Sequence, residues 1–277
     1  MARLHVLGVG DAFTERYHNS CLCIEEPQSG VQLLIDCPPA LPRVLADHRA
    51  RTGSPLSVAT IDHLLLTHLH GDHCGGVEAF LFMRRFLVRR KPFLYGAPAV
   101  LDPLWPTRLR GGMAHLTACV PEWSLAELPQ RLAHPSYLHP EADSAAQQRL
   151  GTLPPATAEL QLSDYAERVD LGDRTPIGPL VIERRFTHHH IPTTAVRVFL
   201  AGQPVPLFAY SADTAFDPDL IAWLAEAPLI IHETNFGIHT PLSSLTQLPP
   251  TVQSKLHLIH YPDLLDPATS PIPCLQQ

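Results

Sequence analysis

Residues 67–76 read Thr67-His68-Leu69-His70-Gly71-Asp72-His73-Cys74-Gly75-Gly76, which puts four side chains able to ligate a metal within six positions. Imidazole and carboxylate groups together suit zinc and, less tightly, manganese or iron. In a turn at a strand end, His68 and His70 can approach one ion while Asp72 and His73 swing toward a second. Gly71 is expected to permit the tight turn, and Gly75-Gly76 to let the backbone pass close by into a helix. A polar turn with chance histidines is the bland reading, and the density of ligand types argues against it. Seventeen histidines is also high for 277 residues, and they gather near apolar runs, as a metal site would require.

The elements that must hold this turn show as apolar runs between breakers. Leu4–Val9, Cys21–Glu25 and Val31–Asp36 read as strands, the last two closed by prolines. Leu41–Arg51 reads as a helix. Ile61–Leu66 is apolar apart from Asp62 and His63, as a buried strand requires, and runs straight into the histidines. Val77–Val88 reads as a helix whose apolar positions wrap most of the way round, so it could form a homodimer face. Further on come strands at Gly178–Phe186, Thr194–Ala201 and Val205–Tyr210, then a helix at Pro218–Ala225. A strand at Leu229–His232, a helical piece at Pro241–Thr246 and a strand at Lys255–His260 complete the chain. Residues 97–175 are proline-rich and expected to be loop-rich, with short helical pieces such as Pro121–Leu132, and to roof the site. No linker or short repeat divides the chain, so one domain over residues 1–277 is expected.

Composition narrows the function classes. Hydrophobic residues make up 45% and charged residues 17%, enough to bury a large core. No apolar run is long enough to span a membrane, and the N-terminus lacks a signal peptide's apolar stretch, so a cytoplasmic location is expected. The net charge of −7 argues against extended nucleic-acid binding, which needs basic patches to neutralise phosphates. The basic cluster Arg84, Arg85, Arg89, Arg90 and Lys91 reads as the solvated face of its helix rather than a phosphate patch. The six cysteines form no C-x-x-C; Cys21 and Cys23 point to one face of a strand and read as core, and Cys74 as a packed neighbour of the ligands.

The run His68-x-His70-x-Asp72-His73 after a strand resembles the signature of the metallo-β-lactamase superfamily, and later parts of that pattern follow in order. The resemblance implies an α/β fold, an αββα sandwich of two mixed β-sheets flanked by helices. Asp36, closing Leu33-Leu34-Ile35, resembles the family's supporting aspartate, which orients the ligand turn. In the ribonuclease Z-like branch the third histidine stands in a H-x-x-P-x-x-G-Y-R run. Pro192 and Arg197 fit that spacing when His189 is the ligand; Ala195-Val196 replaces Gly-Tyr, so His188 and His190 stay open. Tyr210-Ser211-Ala212-Asp213-Thr214 resembles the segment carrying the bridging carboxylate, here Asp213. His260 resembles the final ligand, and His257, three residues back on a strand, leaves the other face.

The resemblance therefore implies two coordination spheres: His68, His70 and His189 with Asp213, and Asp72, His73 and His260 with Asp213. Two divalent cations, zinc in the first instance with manganese or iron as alternatives, would lower the pKa of a shared water and give a nucleophile without serine or cysteine. Ile231-His232-Glu233-Thr234-Asn235-Phe236 resembles a stretch of ribonuclease Z-like phosphodiesterases. From it follows the expectation that His239, oriented by Glu233, protonates the leaving alkoxide; the alternative is a strand end beside a surface histidine. With Asp72 these form the expected catalytic group. A phosphodiesterase of small or cyclic phosphodiesters, or of short RNA-like substrates, is the reading the resemblance favours. Hydrolysis of a lactone or other ester and a non-catalytic metal-binding module are the alternatives, and 277 residues leave no space for the flavin domain of an oxygen-reducing relative.

Overall fold

Short runs of Leu, Ile, Val and Cys, too brief for helices, make the strands of two sheets. The first sheet holds β1 (Arg3–Gly8), β2 (Cys21–Glu26), β3 (Val31–Ile35), β4 (His63–Leu65), β5 (Phe93–Gly96) and β6 (Glu167–Asp170), side by side in that order. β1, β2 and β3 run antiparallel, and β3 to β6 run parallel. The second sheet repeats the scheme with β7 (Arg174–Ile177), β8 (Leu180–Phe186), β9 (Thr194–Leu200), β10 (Phe208–Tyr210), β11 (Ile230–Glu233) and β12 (Leu256–Ile259). There the antiparallel ladder covers β7 to β10, and β10, β11 and β12 are parallel. This is the two-sheet mixed architecture that the histidine motif implied. Leu22, Ile24, Leu33, Ile35 and Leu65 of the first sheet share one core with Ile182, Val196, Val198, Ala209 and Ile231 of the second.

The computed structural model describes residues 2–115 and 159–277. Backbone contacts divide the chain into two units, Met1–Leu104 with Tyr165–Gln277, and Trp105–Asp164. The first unit carries both sheets and the helices α1 (Leu41–Thr52), α2 (Gly71–Cys74), α3 (Val77–Met83) and α4 (Pro98–Leu104). α1 ends where Gly53 takes a φ of 71°, its N–H returning to the Arg49 carbonyl. The second unit contains a π-helical turn at Trp105–Leu109 and α5 (Arg110–Met113), with Arg110 paired to Glu159. Back in the first unit, α6 (Pro218–Leu224) is capped by the Asp217 carboxylate, which accepts from the N–H groups of Asp219 and Leu220. α7 (Leu242–Leu245) and α8 (Pro250–Gln253) are single turns. Among the described residues no helix is long and apolar enough to cross a membrane.

Three expectations change. The described flanks of 97–175 hold the expected kind of short helical piece in α4 and α5, but they also carry β6 and the start of β7, where no strand was expected. β6 and β7 are edge strands; β6 is mostly exposed and β7 contains Pro176, so neither offers an apolar alternation to read. The proposed helix over Pro121–Leu132 and the roof lie outside the described residues. The basic cluster is not one solvated face, because Arg84 opens a π-helical turn (Arg84–Val88) and is fully buried. Its guanidinium donates to the Val58 and Ala59 carbonyls at 3.2 and 2.9 Å and to Asp62, which also pairs with Arg90. Only Arg89, Arg90 and Lys91 are exposed. Finally, Gly71 has ordinary φ and open space around a hypothetical Cβ, so the turn does not need it. Gly76 is the required glycine, since a Cβ there would lie 2.1 Å from the Pro38 carbonyl oxygen.

Candidate metal centre

Every candidate ligand comes from a loop at the C-terminal end of a strand. His68 and His70 follow β4, Asp72 and His73 lie on the single turn α2, His189 follows β8, Asp213 follows β10 and His260 follows β12. Parallel strands place their carboxyl ends on one edge, which is where open α/β sheets bind ligands. Among the described residues, three of the four non-glycine residues with left-handed φ stand here: Asp36 (63°), Ala212 (49°) and His260 (56°). Backbone held in that sparsely populated region is characteristic of functional sites.

Among the described residues two groups meet at Asp213, and His239 with Asp213 and His260 forms a third that overlaps them. In the first, His68 Nε2 lies 3.0 Å from His70 Nδ1 and 3.5 Å from Asp213 Oδ2, and His189 Nε2 lies 3.2 Å from His70 Nδ1. In the second, His73 Nε2 lies 3.3 Å from Asp72 Oδ2 and 3.4 Å from Asp213 Oδ1, and His260 Nε2 lies 3.5 Å from Asp213 Oδ2. Four tetrahedral ligands at zinc distances stand about 3.3 Å apart, the spacing these nitrogens and oxygens already have. Buried His73 Nε2 and Asp213 Oδ1 have no hydrogen-bond partner, so both point at the place a cation would fill. The donor set thus fits divalent metal.

The outward ring nitrogens support this assignment. His73 Nδ1 meets Asp36 Oδ2 at 2.8 Å, His68 Nδ1 meets Thr67 Oγ1 at 3.0 Å, and His260 Nδ1 meets Ser20 Oγ at 3.2 Å. His70 Nε2 meets His190 Nε2 at 2.9 Å. Four rings are therefore held from behind while the other nitrogen faces the cluster, as metal-binding imidazoles are. Burial lowers the pKa of His68, His70 and His260 and brings His189 down to about 4, so all four stay neutral and able to ligate near neutral pH. Burial would raise Asp213, but the surrounding histidines outweigh it and hold the carboxylate ionised. Burial likewise opposes a proton on His73, yet Asp213, Asp36 and Asp72 push it well up, a role a cation beside Nε2 would take over.

Asp36 is the keystone of the turn. Its carboxylate accepts from the Thr67 N–H and Oγ1 as well as from His73. Asp36→Asn should lower metal affinity about 10- to 100-fold while leaving the fold intact; competition with a chromogenic chelator measures it, and unchanged affinity would remove Asp36 from this role.

The three adjacent histidines have different surroundings. His189 enters the first group with its side chain fully buried; His188 is exposed beside Asp217, and His190 braces His70. His257 belongs to neither group. Arg197, the spacing marker, braces Glu183, Glu226 and the Trp223 carbonyl. Glu233 is buried at the end of β11, and its Oε1 accepts from His239 Nδ1 at 3.1 Å and the Thr214 N–H at 2.9 Å. His239 also lines the cavity over the two groups. That cavity, about 770 Å³, is lined by His70, Asp72, Asp213 and His260 on its floor. Sequence reasoning missed the Ser20 contact, for which a lone serine carries no signal, and the bracing role of His190.

The model of the family described as Anti-Pycsar protein Apyc1 matches residues 2–128 and 147–271. A protein of that description from Paenibacillus sp. (strain J14) is 32% identical over 268 residues, which is 94% of this chain and 89% of the relative. Among solved structures, the metallo-β-lactamase fold protein YhfI from Bacillus subtilis aligns with a TM-score of 0.64 at 16% identity, covering 96% of this chain and 89% of that one. The short form of human tRNase Z aligns with a TM-score of 0.58 at 19% identity, covering 95% and 93%. These two likenesses carry the fold alone, the metallo-β-lactamase sandwich of two mixed sheets flanked by helices.

Proposed function

The chain belongs to the Anti-Pycsar protein Apyc1 family, and from that premise we propose that it is a metal-dependent phosphodiesterase of cyclic nucleotides. The observation that carries this reading is the ring of inward-facing, partnerless or back-braced donor atoms around Asp213, beside a cavity large enough for a nucleotide. His68, His70 and His189 would hold one divalent cation, Asp72, His73 and His260 a second, and Asp213 both; zinc is the first choice, manganese or iron the alternatives. Such a pair supplies Lewis-acid polarisation of the phosphate and a water acidic enough to attack near neutral pH.

The chain's own residues supply the proton traffic. Asp72, on the cavity floor, is placed to take the proton of the attacking water. As the bond from phosphorus to ribose oxygen breaks, that oxygen leaves as an alkoxide and needs a proton. His239 lines the cavity, with Nδ1 engaged by Glu233, which leaves Nε2 to carry the proton. Burial pulls His239 down, but the Glu233 hydrogen bond and the charges of Glu233, Asp213 and Asp72 outweigh it, and the net shift is upward. Burial pushes Glu233 itself up to about 7, so the pair holds its proton near neutrality.

The test is hydrolysis of cyclic mononucleotides, followed by phosphorus NMR, with zinc- and manganese-loaded protein and a simple lactone alongside. Conversion to the linear monophosphate, lost on chelation, is the expected result. Lactone turnover with inert cyclic nucleotides would move the protein to ester hydrolysis and defeat the proposal.

A further inference from the structure

The mouth of the catalytic cavity is built unlike the rest of the surface. Nine large apolar side chains are exposed among the described residues, and four of them line this one cavity: Phe13 (89% exposed), Phe236 (68%), Ile238 (48%) and Leu264 (86%). A scattered exposed leucine needs no explanation, whereas aromatic and aliphatic groups gathered at one polar pocket mark a surface that something covers. A second cavity of about 300 Å³ continues from the first and shares Asn235, Phe236, Pro262 and Leu264 with it. The apolar surface thus runs outward from the metal-binding residues.

The loops carrying these side chains are braced. The Asp11 carboxylate accepts from the Phe13 N–H at 3.0 Å through Oδ1 and from Asn235 Nδ2 at 2.9 Å through Oδ2. Asn235 Oδ1 in turn accepts from the Phe236 N–H at 2.8 Å. One buried carboxylate and one amide therefore join the loop after β1 to the loop after β11. The Asp263 carboxylate ties the same first loop to the segment bearing Leu264, accepting from Thr14 Oγ1 at 2.6 Å and the Glu15 N–H at 2.8 Å. Apolar groups held out into water on fixed backbone are preorganised for a partner, which lowers the ordering cost of binding it.

We infer that Phe13 and Phe236, with Ile238 and Leu264, form a base-stacking subsite for the substrate, placing the nucleobase outward while the phosphodiester lies over Asp213. The inference rests on the nucleotide reading above and specifies how that substrate is held. The floor of the cavity is histidine and carboxylate, suited to a phosphate and its cations; the rim is aromatic and aliphatic, suited to a π-face. A cyclic nucleotide has both ends within one small molecule.

The experiment uses metal-loaded wild-type protein and the double variant Phe13→Ala/Phe236→Ala, whose changed positions are exposed and outside the metal groups. The probe is a fluorescent aminopurine cyclic mononucleotide, whose emission falls when its base stacks. Quenching in the wild type, with Kd raised about 10-fold or more in the double variant, is expected from the worth of one base–aromatic stack. Turnover of trimethylene phosphate, a six-membered cyclic diester without a base, should be the same in both proteins. Absence of quenching overturns the subsite, as does equal quenching in both proteins or an equal loss of trimethylene phosphate turnover. Quenching without hydrolysis of any cyclic nucleotide would instead overturn the catalytic reading and leave the subsite standing.

Discussion

Asp213→Ala is expected to cut cyclic-nucleotide hydrolysis by about three orders of magnitude, roughly 4 kcal/mol of transition-state stabilisation, and to lower the metal content of the purified protein. The size follows from position. Asp213 lies within reach of both groups, with Oδ2 facing His68 and His260 and Oδ1 facing His73. Losing an outer ligand such as His70 would leave three donors in its group, whereas losing Asp213 takes a donor from both. It also removes the buried charge that would offset the proposed cations. Asp213→Asn separates charge from shape: it keeps the volume and one acceptor oxygen, so a loss close to that of alanine would assign the effect to the carboxylate charge. Kinetics and elemental analysis of the same preparations decide the matter. Turnover retained in either variant with full metal content would show that the two groups work without a shared carboxylate.

How far the site could be read beforehand depended on whether its residues were close in sequence. His68, His70, Asp72 and His73 fall within six positions, and a strand-end turn is enough to bring them together. Asp213 and His260 needed an ordered pattern over nearly 200 residues, which the family resemblance provided and local spacing could not. The three-histidine run shows the limit: neighbouring residues differ only in direction, and the direction comes from how the loop after β8 leaves its strand. Arg84 shows another. A basic run reads as solvated on charge alone, but a π-helical turn places its first member among carbonyls and Asp62. The edge strands β6 and β7 escaped because edges shed the apolar alternation by which a strand is recognised. The rim formed by Phe13, Phe236 and Leu264 joins positions up to 251 residues apart through the side chains of Asp11, Asn235 and Asp263, a linkage no spacing rule carries.

His239→Ala should separate substrates by leaving group. A ribose alkoxide is a poor leaving group and gains from protonation as it departs, while a p-nitrophenolate leaves unaided. Loss of a positioned acid typically costs about 10²- to 10⁴-fold, so kcat for a cyclic nucleotide should fall by that much while bis(p-nitrophenyl) phosphate changes only a few-fold. The acid must be protonated to work, and the shift of His239 is upward, with the Glu233 hydrogen bond and nearby carboxylates outweighing burial. Activity toward the cyclic nucleotide should therefore persist through the ordinary histidine range and fall only as pH rises past the raised value. Removing the imidazole should erase that alkaline limb. Glu233→Gln keeps a hydrogen-bonding partner for Nδ1 but drops the charge, so it should move the limb to lower pH without abolishing it. A merely structural role for the pair would lower both substrates alike and leave the limb in place, and that pattern would refute the relay.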